Sequence, residues 1–339
     1  MLSNVRTCLL LFAITLPTNV AQDQQRRIGL IDFFGYAGLN VDQIRSALPI
    51  RVGDTFPGPR ETKERINKAV TSTLGRPPTD VSPVCCDAQG NYIIFVGLPG
   101  TSIVRPKFNP VPKGKTHFPS HIVKLYEETM DALSAALLKG NAREDTSKGY
   151  ALSIDDEALR AKQLSVRAYA IQHEKLIRAI LRSSRETQQR VVAAYLLGYS
   201  RRSRQQIADL VRASNDSDET VRNNAIRALS VLADSSATVA ALIPADGFVK
   251  QLSSGSWTDR NKAGWVLSSL TKNRHPKLLA QIRSQALTSL IEMARWQSGH
   301  SQTARIILGR VAGIPEERLV QLVNEKGAET IINALRLNQ

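Results

Sequence analysis

Arginine is the residue whose type and spacing most suggest chemistry in this chain of 339 residues. Positions 160 to 204 hold eleven Lys or Arg and only two acids, Glu174 and Glu186, a local net charge of +9 within a total of +15. On a helix turning about 100° per residue, Arg160, Arg167, Arg178, Arg182 and Arg185 share a stripe about 60° wide. Leu159, Val166, Ala170, Ile177, Ile180 and Leu181 take the opposing side, and Arg201, Arg202 and Arg204 cluster beyond the next helix. Guanidinium forks suit carboxylates and phosphates, so the stripe is a candidate anion-binding or acidic-partner surface. The plainer alternative is a solvated face whose long stems cover apolar surface. The stripe lacks the interleaved aromatics that stack on single strands, which disfavours nucleic acid. Anionic lipid headgroups or an acidic protein fit it better.

Other reactive residue types form no recognisable set. The sequence has no G-x-S-x-G elbow, phosphate loop, dinucleotide glycine pattern or H-E-x-x-H. Its five histidines are scattered; His117 and His121 are four apart, but Pro119 lies between them and no third ligand is near. His173 falls on the apolar side of its expected helix, and Trp257, Trp265 and Trp296 lie at boundaries where aromatics pack between helices. Cys85 and Cys86 are adjacent; strand neighbours point to opposite faces, so the expectation is two unbonded thiols. The sequence therefore implies no catalytic residue, no metal and no cofactor: a non-enzymatic binding protein.

The elements that must position the arginines follow from patterning. Hydrophobic residues make up 42% of the chain, enough for packed cores, and no run of 18 apolar residues occurs. Residues 1–21 read as an export signal: Arg6, the apolar stretch Cys8 to Leu16, Pro17, and a cleavage point after Ala21. The expected location is thus periplasmic or extracellular, with a retained anchor as the alternative. Residues 27–100 read as strand, helix, helix, strand, strand: 27–35, 40–48, 61–74, 80–87 and 91–96, with Ala88 to Gly90 as a hairpin turn. Residues 101–154 are a proline-rich linker followed by an amphipathic helix from Pro119 to Lys139.

From 155 to 339 helical periodicity is nearly continuous. Ala193, Ala225, Ala263 and Ala304 are each followed four residues later by Leu, at intervals of 32, 38 and 41 residues, the span of two-helix repeats. Each is preceded by a further amphipathic helix, and 316–324 with 328–337 form a closing pair.

Two resemblances attach to these segments. Ile28, Ile31, Phe34 and Gly35, the helix motif Ile44-Arg45 with Leu48, and Arg51-Val-Gly-Asp-Thr-Phe56 resemble the POTRA family. That resemblance implies a small docking module that adds a client strand at its sheet edge. Asp216 to Leu229 is similar to the HEAT-repeat pattern D-x-x-V-R-x-x-A-x-x-A-L, with Asp218 as helix cap and Arg222 bonding a neighbouring loop. Gln302 replaces that Arg in the last copy, where any Arg ladder is expected to end. Gly149-Tyr-Ala-Leu-Ser153 and Trp257-Thr-Asp-Arg-Asn-Lys262 resemble exported bacterial HEAT-repeat proteins. The implied architecture is multidomain: a small α+β (βααββ, POTRA-like) domain followed by an all-α HEAT-like solenoid, whose extended surface binds proteins.

Overall fold

The computed structural model describes residues 26–337, apart from 142 and 326; the expected export segment 1–21 lies outside the described residues. Two compact units divide the chain: Lys107–Pro244, and a unit joining the segment up to Pro106 with that from Ala245 onward.

The second unit begins with strand β1 (Ile28–Phe34), built of β-branched and aromatic residues. Helix α1 (Val41–Ala47) is capped by the Asn40 side chain, which accepts from Gln43 N. Helix α2 (Pro59–Leu74) has Pro at its start and ends on left-handed Gly75, whose N–H donates to Thr71 O. Strands β2 (Asp80–Cys85) and β3 (Tyr92–Gly97) complete a sheet of order β1-β3-β2, with β1–β3 parallel and β2–β3 antiparallel. The central strand β3 is buried throughout. Period-2 alternation sorts the side chains: Ile31, Phe33, Val81, Ile94 and Val96 form one core with Ile44, Leu48, Ile66 and Val70 of the two helices. The alternate residues face the other way and need a second cover.

Strand β2 stops at Cys85, and Cys85 and Cys86 are joined as a disulfide across a cis peptide bond. The expectation of two separate thiols is corrected: it assumed both residues inside a trans, extended strand.

In the unit Lys107–Pro244, residues 107–118 are an irregular arm held along the helices by backbone contacts. Asn109 N donates to Asn215 O, Gly114 N to Ser183 O, and Arg185 N back to Gly114 O, at 2.7, 2.7 and 2.8 Å. Phe118 N donates to Gln189 Oε1 at 2.6 Å, and Phe108 lies beneath the Arg222 guanidinium, 3.9 Å from ring centre. Helix α3 (Ser120–Leu138) and the short pair β4 (Glu144–Asp145) and β5 (Leu152–Ser153) follow. Then come α4 (Glu157–Gln172), α5 (Glu174–Ser183), α6 (Thr187–Leu197), α7 (Arg204–Ala213), α8 (Glu219–Ser235) and the short α9 (Ala237–Ala240). Helices α5 with α6, and α7 with α8, are neighbours in sequence that pack together, and α6 packs on α8. The apolar seam is small and branched: Ala193, Val192 and Leu197 against Ala225, Val221 and Leu229, all buried.

The second unit resumes with α10 (Asp246–Gln251), α11 (Trp257–Leu270), α12 (Pro276–Ala294), α13 (Gln302–Val311), α14 (Glu316–Asn324) and α15 (Ala328–Leu337). Here α11, α13 and α15 pack in succession, each beside its preceding partner. Both units are therefore stacks of helix pairs, as expected of an α-solenoid.

The remaining sheet face is covered by α11 and α12. Phe95 stacks on Trp257 at 4.8 Å and meets Trp296 edge-on at 5.0 Å; Phe34 also meets the Trp296 edge. Gly97 permits this approach, since a Cβ there would stand 2.7 Å from the Phe34 ring. The tryptophans were expected between helices; Trp257 and Trp296 instead cover a sheet, while Trp265 is half-exposed.

Candidate functional site

The arginine stripe does not survive as one stripe. The helix breaks at His173 (φ −115°, ψ 23°), so Arg160 and Arg167 belong to α4, Arg178 and Arg182 to α5, and Arg185 to the following loop. A uniform 100° per residue cannot be carried across that break. His173 itself is exposed and stacks on Tyr169 at 4.3 Å, where an apolar-face position was expected.

Several of the arginines carry structural bonds. Arg160 donates to Ser153 O, and Arg167 to Tyr199 O at 2.9 Å while its guanidinium covers the Tyr150 ring at 3.7 Å. Arg201 donates to Ile171 O. Arg178 donates to Oδ2 of Asp209 at 2.6 Å, and Arg182 donates to Oδ1 of the same carboxylate. Asp209 lies on α7 with its side chain 3% exposed, so one buried acid holds two guanidinium groups side by side. Arg202 and Arg204 are exposed at the start of α7.

What the sequence did not reveal is the contribution of the arm. Gly114 pairs with Ser184 as a parallel bridge, which brings the segment carrying Lys113 and Lys115 alongside the one carrying Arg182 and Arg185; all four residues are exposed. Nearby, His117 pairs with Glu186 at 3.6 Å, and His121 is exposed at the start of α3. Two separated segments thus contribute exposed cations here, while the buried Asp209 carboxylate holds Arg178 and Arg182. The arm lies there because its backbone amides and carbonyls are satisfied by the loop after α5.

A second set of arginines is internal to the repeats. Arg190 is fully buried; it donates to both Asp216 oxygens, at 2.8 and 3.0 Å, and to Ser184 O and Arg185 O. Arg222 donates to Asp216 O and Ser217 O, and Asp218 caps α8 through Thr220 N and Val221 N, as expected of both. Arg260 donates to Ser254 O at 2.7 Å. On α13 the role passes to Arg305, which donates to Ala294 O and Trp296 O. The ladder expected to end at Gln302 therefore continues one turn later along α13.

Carboxylates pin the sheet to the helices of its own unit. Glu292 accepts from the consecutive amides of Gly35, Tyr36 and Ala37 at 2.7, 2.9 and 3.0 Å, from the Ser102 hydroxyl, and from Arg260. Burial lowers the Arg260 pKa to about 10 despite that carboxylate. In the reverse direction, Asp32 accepts from Gln297 N and Ser298 N, and Asp80 from Trp257 N. Burial raises the pKa of both, against the lowering effect of those amides. Beside Phe95, His300 is buried with Nδ1 3.2 Å from Asn261 Oδ1. Among the described residues, its Nε2, Trp257 Nε1 and Asn261 Nδ2 have no hydrogen-bond partner. Burial, and then the nearby Lys262 charge, push the His300 pKa down to about 3.

In the other unit, Glu144 accepts from Arg227 and Gln163. Beside them Tyr195 and Tyr199 border a cavity of about 10 Å³, room for about one water. Burial pushes the Tyr199 pKa up to about 12. Among the described residues no group of three or more His, Cys, Asp or Glu could hold a metal ion. No described helix is long and apolar enough to cross a membrane.

No family description matches the chain, and no curated protein matches it. Solved structures similar to it include a designed armadillo repeat protein in complex with the peptide (KR)4, at 16% identity and TM-score 0.37, covering 54% of this chain and 87% of that one. An engineered protein has 15% identity and TM-score 0.37 over 63% and 88%. A second designed armadillo repeat protein has 17% identity and TM-score 0.35 over 54% and 88%. At these scores the likenesses carry no weight for function.

Proposed function

We propose that this chain is a non-enzymatic binding scaffold whose basic face recognises an acidic protein partner. The observation that carries the reading is the Gly114–Ser184 bridge, which brings the segment carrying Lys113 and Lys115 alongside the one carrying Arg182 and Arg185. Arg178 and Arg182 are oriented by Asp209, so their remaining donors are presented in a fixed direction. The other sequence arginines contribute charge nearby without sharing that geometry.

The helical pairs are read as HEAT-like, supported by the Asp218 cap and the Arg190–Asp216 link between successive pairs. The βααββ order with strands β1-β3-β2 supports the POTRA-like reading of 27–100. Its face opposite α1 and α2 is occupied by aromatic packing, so a client strand would have to use an edge. The chain is read as exported, from its Arg6 to Ala21 segment; the Cys85–Cys86 disulfide suits an oxidising location.

The test is affinity capture with wild type and the quadruple variant K113E/K115E/R182E/R185E, with mass spectrometry of what each recovers. An acidic protein recovered by wild type, lost in the variant and weakened by salt supports the proposal. Equal recovery by both overturns it. So does preferential binding to anionic over neutral vesicles when no protein partner is recovered.

A further inference from the structure

The Cys85–Cys86 disulfide is of no use as a staple. A crosslink stabilises by closing a loop in the unfolded chain, and the benefit grows with loop length. Neighbouring residues enclose no loop, and their bond joins no two elements. Its place in the sheet suggests another use. Because β1 and β3 are parallel and β2 is antiparallel to β3, the start of β1 and the end of β2 meet at one end of the sheet. There Arg26, fixed by donation from Phe56 N to its carbonyl at 2.8 Å, sends Nη1 to 3.1 Å from both sulfurs. Both cysteines remain partly accessible.

A guanidinium on a sulfur favours its thiolate, the form that attacks and leaves in disulfide exchange. The nearby acid is Asp87, whose carboxylate accepts the turn amides of Gln89 and Asn91; Arg27 is directed to Gly53 O, and Tyr92 lies opposite Cys85 on β3. We propose that Cys85 and Cys86 form a reversible thiol–disulfide exchange site in which Arg26 holds the leaving or attacking thiolate, with a dithiol as the co-reactant. One thiolate of the dithiol attacks a cysteine sulfur, the Cys–Cys bond breaks, and its electron pair leaves on the other sulfur beside Arg26. The dithiol's second sulfur then displaces the first cysteine. The cysteines gain two electrons and the two protons from the dithiol, which departs as a cyclic disulfide.

The test uses the full chain with dithiothreitol, following the peptide that contains both cysteines by mass spectrometry. The oxidised pair is expected to take no iodoacetamide before reduction and two equivalents after it, with circular dichroism unchanged. At neutral pH, Arg26→Gln should slow alkylation of the reduced pair about tenfold, because the guanidinium no longer favours the reactive thiolate. Arg26→Lys, which keeps the charge, should restore much of the rate, and the rate–pH profile of wild type should extend to lower pH. Reduction only upon unfolding, free thiols in protein kept under air, or wild-type alkylation rates in Arg26→Gln would each overturn the proposal.

Discussion

The His300 contribution to the stability of the unit that contains the sheet should be lost in acid. Its ring is 4% exposed, between the edges of Phe95 and Trp257, with Nδ1 directed at the Asn261 carbonyl oxygen and Nε2 unpartnered. Asn261 Oδ1 is an acceptor, so the assigned neutral tautomer has its proton on Nδ1. A proton on Nε2 would add an unsolvated charge beside the Lys262 cation. The folded pKa is therefore about 3, against 6.5 for a free histidine. The sign follows from linkage: below pH 6.5 the unfolded chain binds a proton that the folded one refuses, so stability is lost as pH falls from 6.5 toward 3. Between pH 7.5 and 5 the loss is about 2 kcal/mol, from 1.36 kcal/mol per unit over about 1.5 units. Asp32 and Asp80 act in the opposite direction, because their raised folded pKa values favour the folded state on acidification. They are common to wild type and variant and cancel in the comparison. Urea unfolding followed by tryptophan fluorescence reports this unit, since Trp257, Trp265 and Trp296 all lie in it. Wild type should lose about 2 kcal/mol more than His300→Asn between those pH values. Equal losses would refute the reasoning, as would a His300 ring resonance in wild type titrating near 6.5.

Other perturbations test the remaining buried groups. Glu292→Ala removes the acceptor for three amides, Ser102 and Arg260, and should cost about 3–5 kcal/mol in urea unfolding, the range for breaking a buried ion pair. Arg190→Ala leaves Asp216 without its bidentate partner and should cost a similar amount, about 3–5 kcal/mol, read by far-ultraviolet circular dichroism. Gly97→Val drives side-chain atoms into the Phe34 ring and Thr79 and should cost about 1–3 kcal/mol by thermal melting.

Much of the local architecture was legible. Helix pairs on either side of Ala193, Ala225, Ala263 and Ala304 follow from apolar spacing, and Asp218 marks a helix start with the bonds its type implies. Alternation and turn chemistry located the three strands to within a few residues. The His173 break was not legible, because the apolar periodicity runs through it without a Gly or Pro. Arg305 was not legible, because it lies one residue after Ala304 where Arg190, Arg222 and Arg260 lie three before their alanines, and its guanidinium reaches back nine and eleven residues. The basic face was half visible: its arginines are dense in sequence, but Lys113 and Lys115 sit in an arm whose prolines reveal irregularity and nothing of its destination.

The sequence by itself determined which residues become helix or strand and which side of each must be buried, because those properties depend on neighbours three, four or two positions away. It also determined that positive charge concentrates between 160 and 204. Only the tertiary structure decided what covers each face. Phe95 and Asp32 meet Trp257, Trp296 and Gln297 across more than 150 residues. Cys85, Cys86 and Arg26 meet because strand order brings three termini to one end. An apolar stripe specifies that it needs a partner but not which one; that choice rests on shape, on satisfied backbone groups and on buried charge, which exist only once the chain has closed on itself.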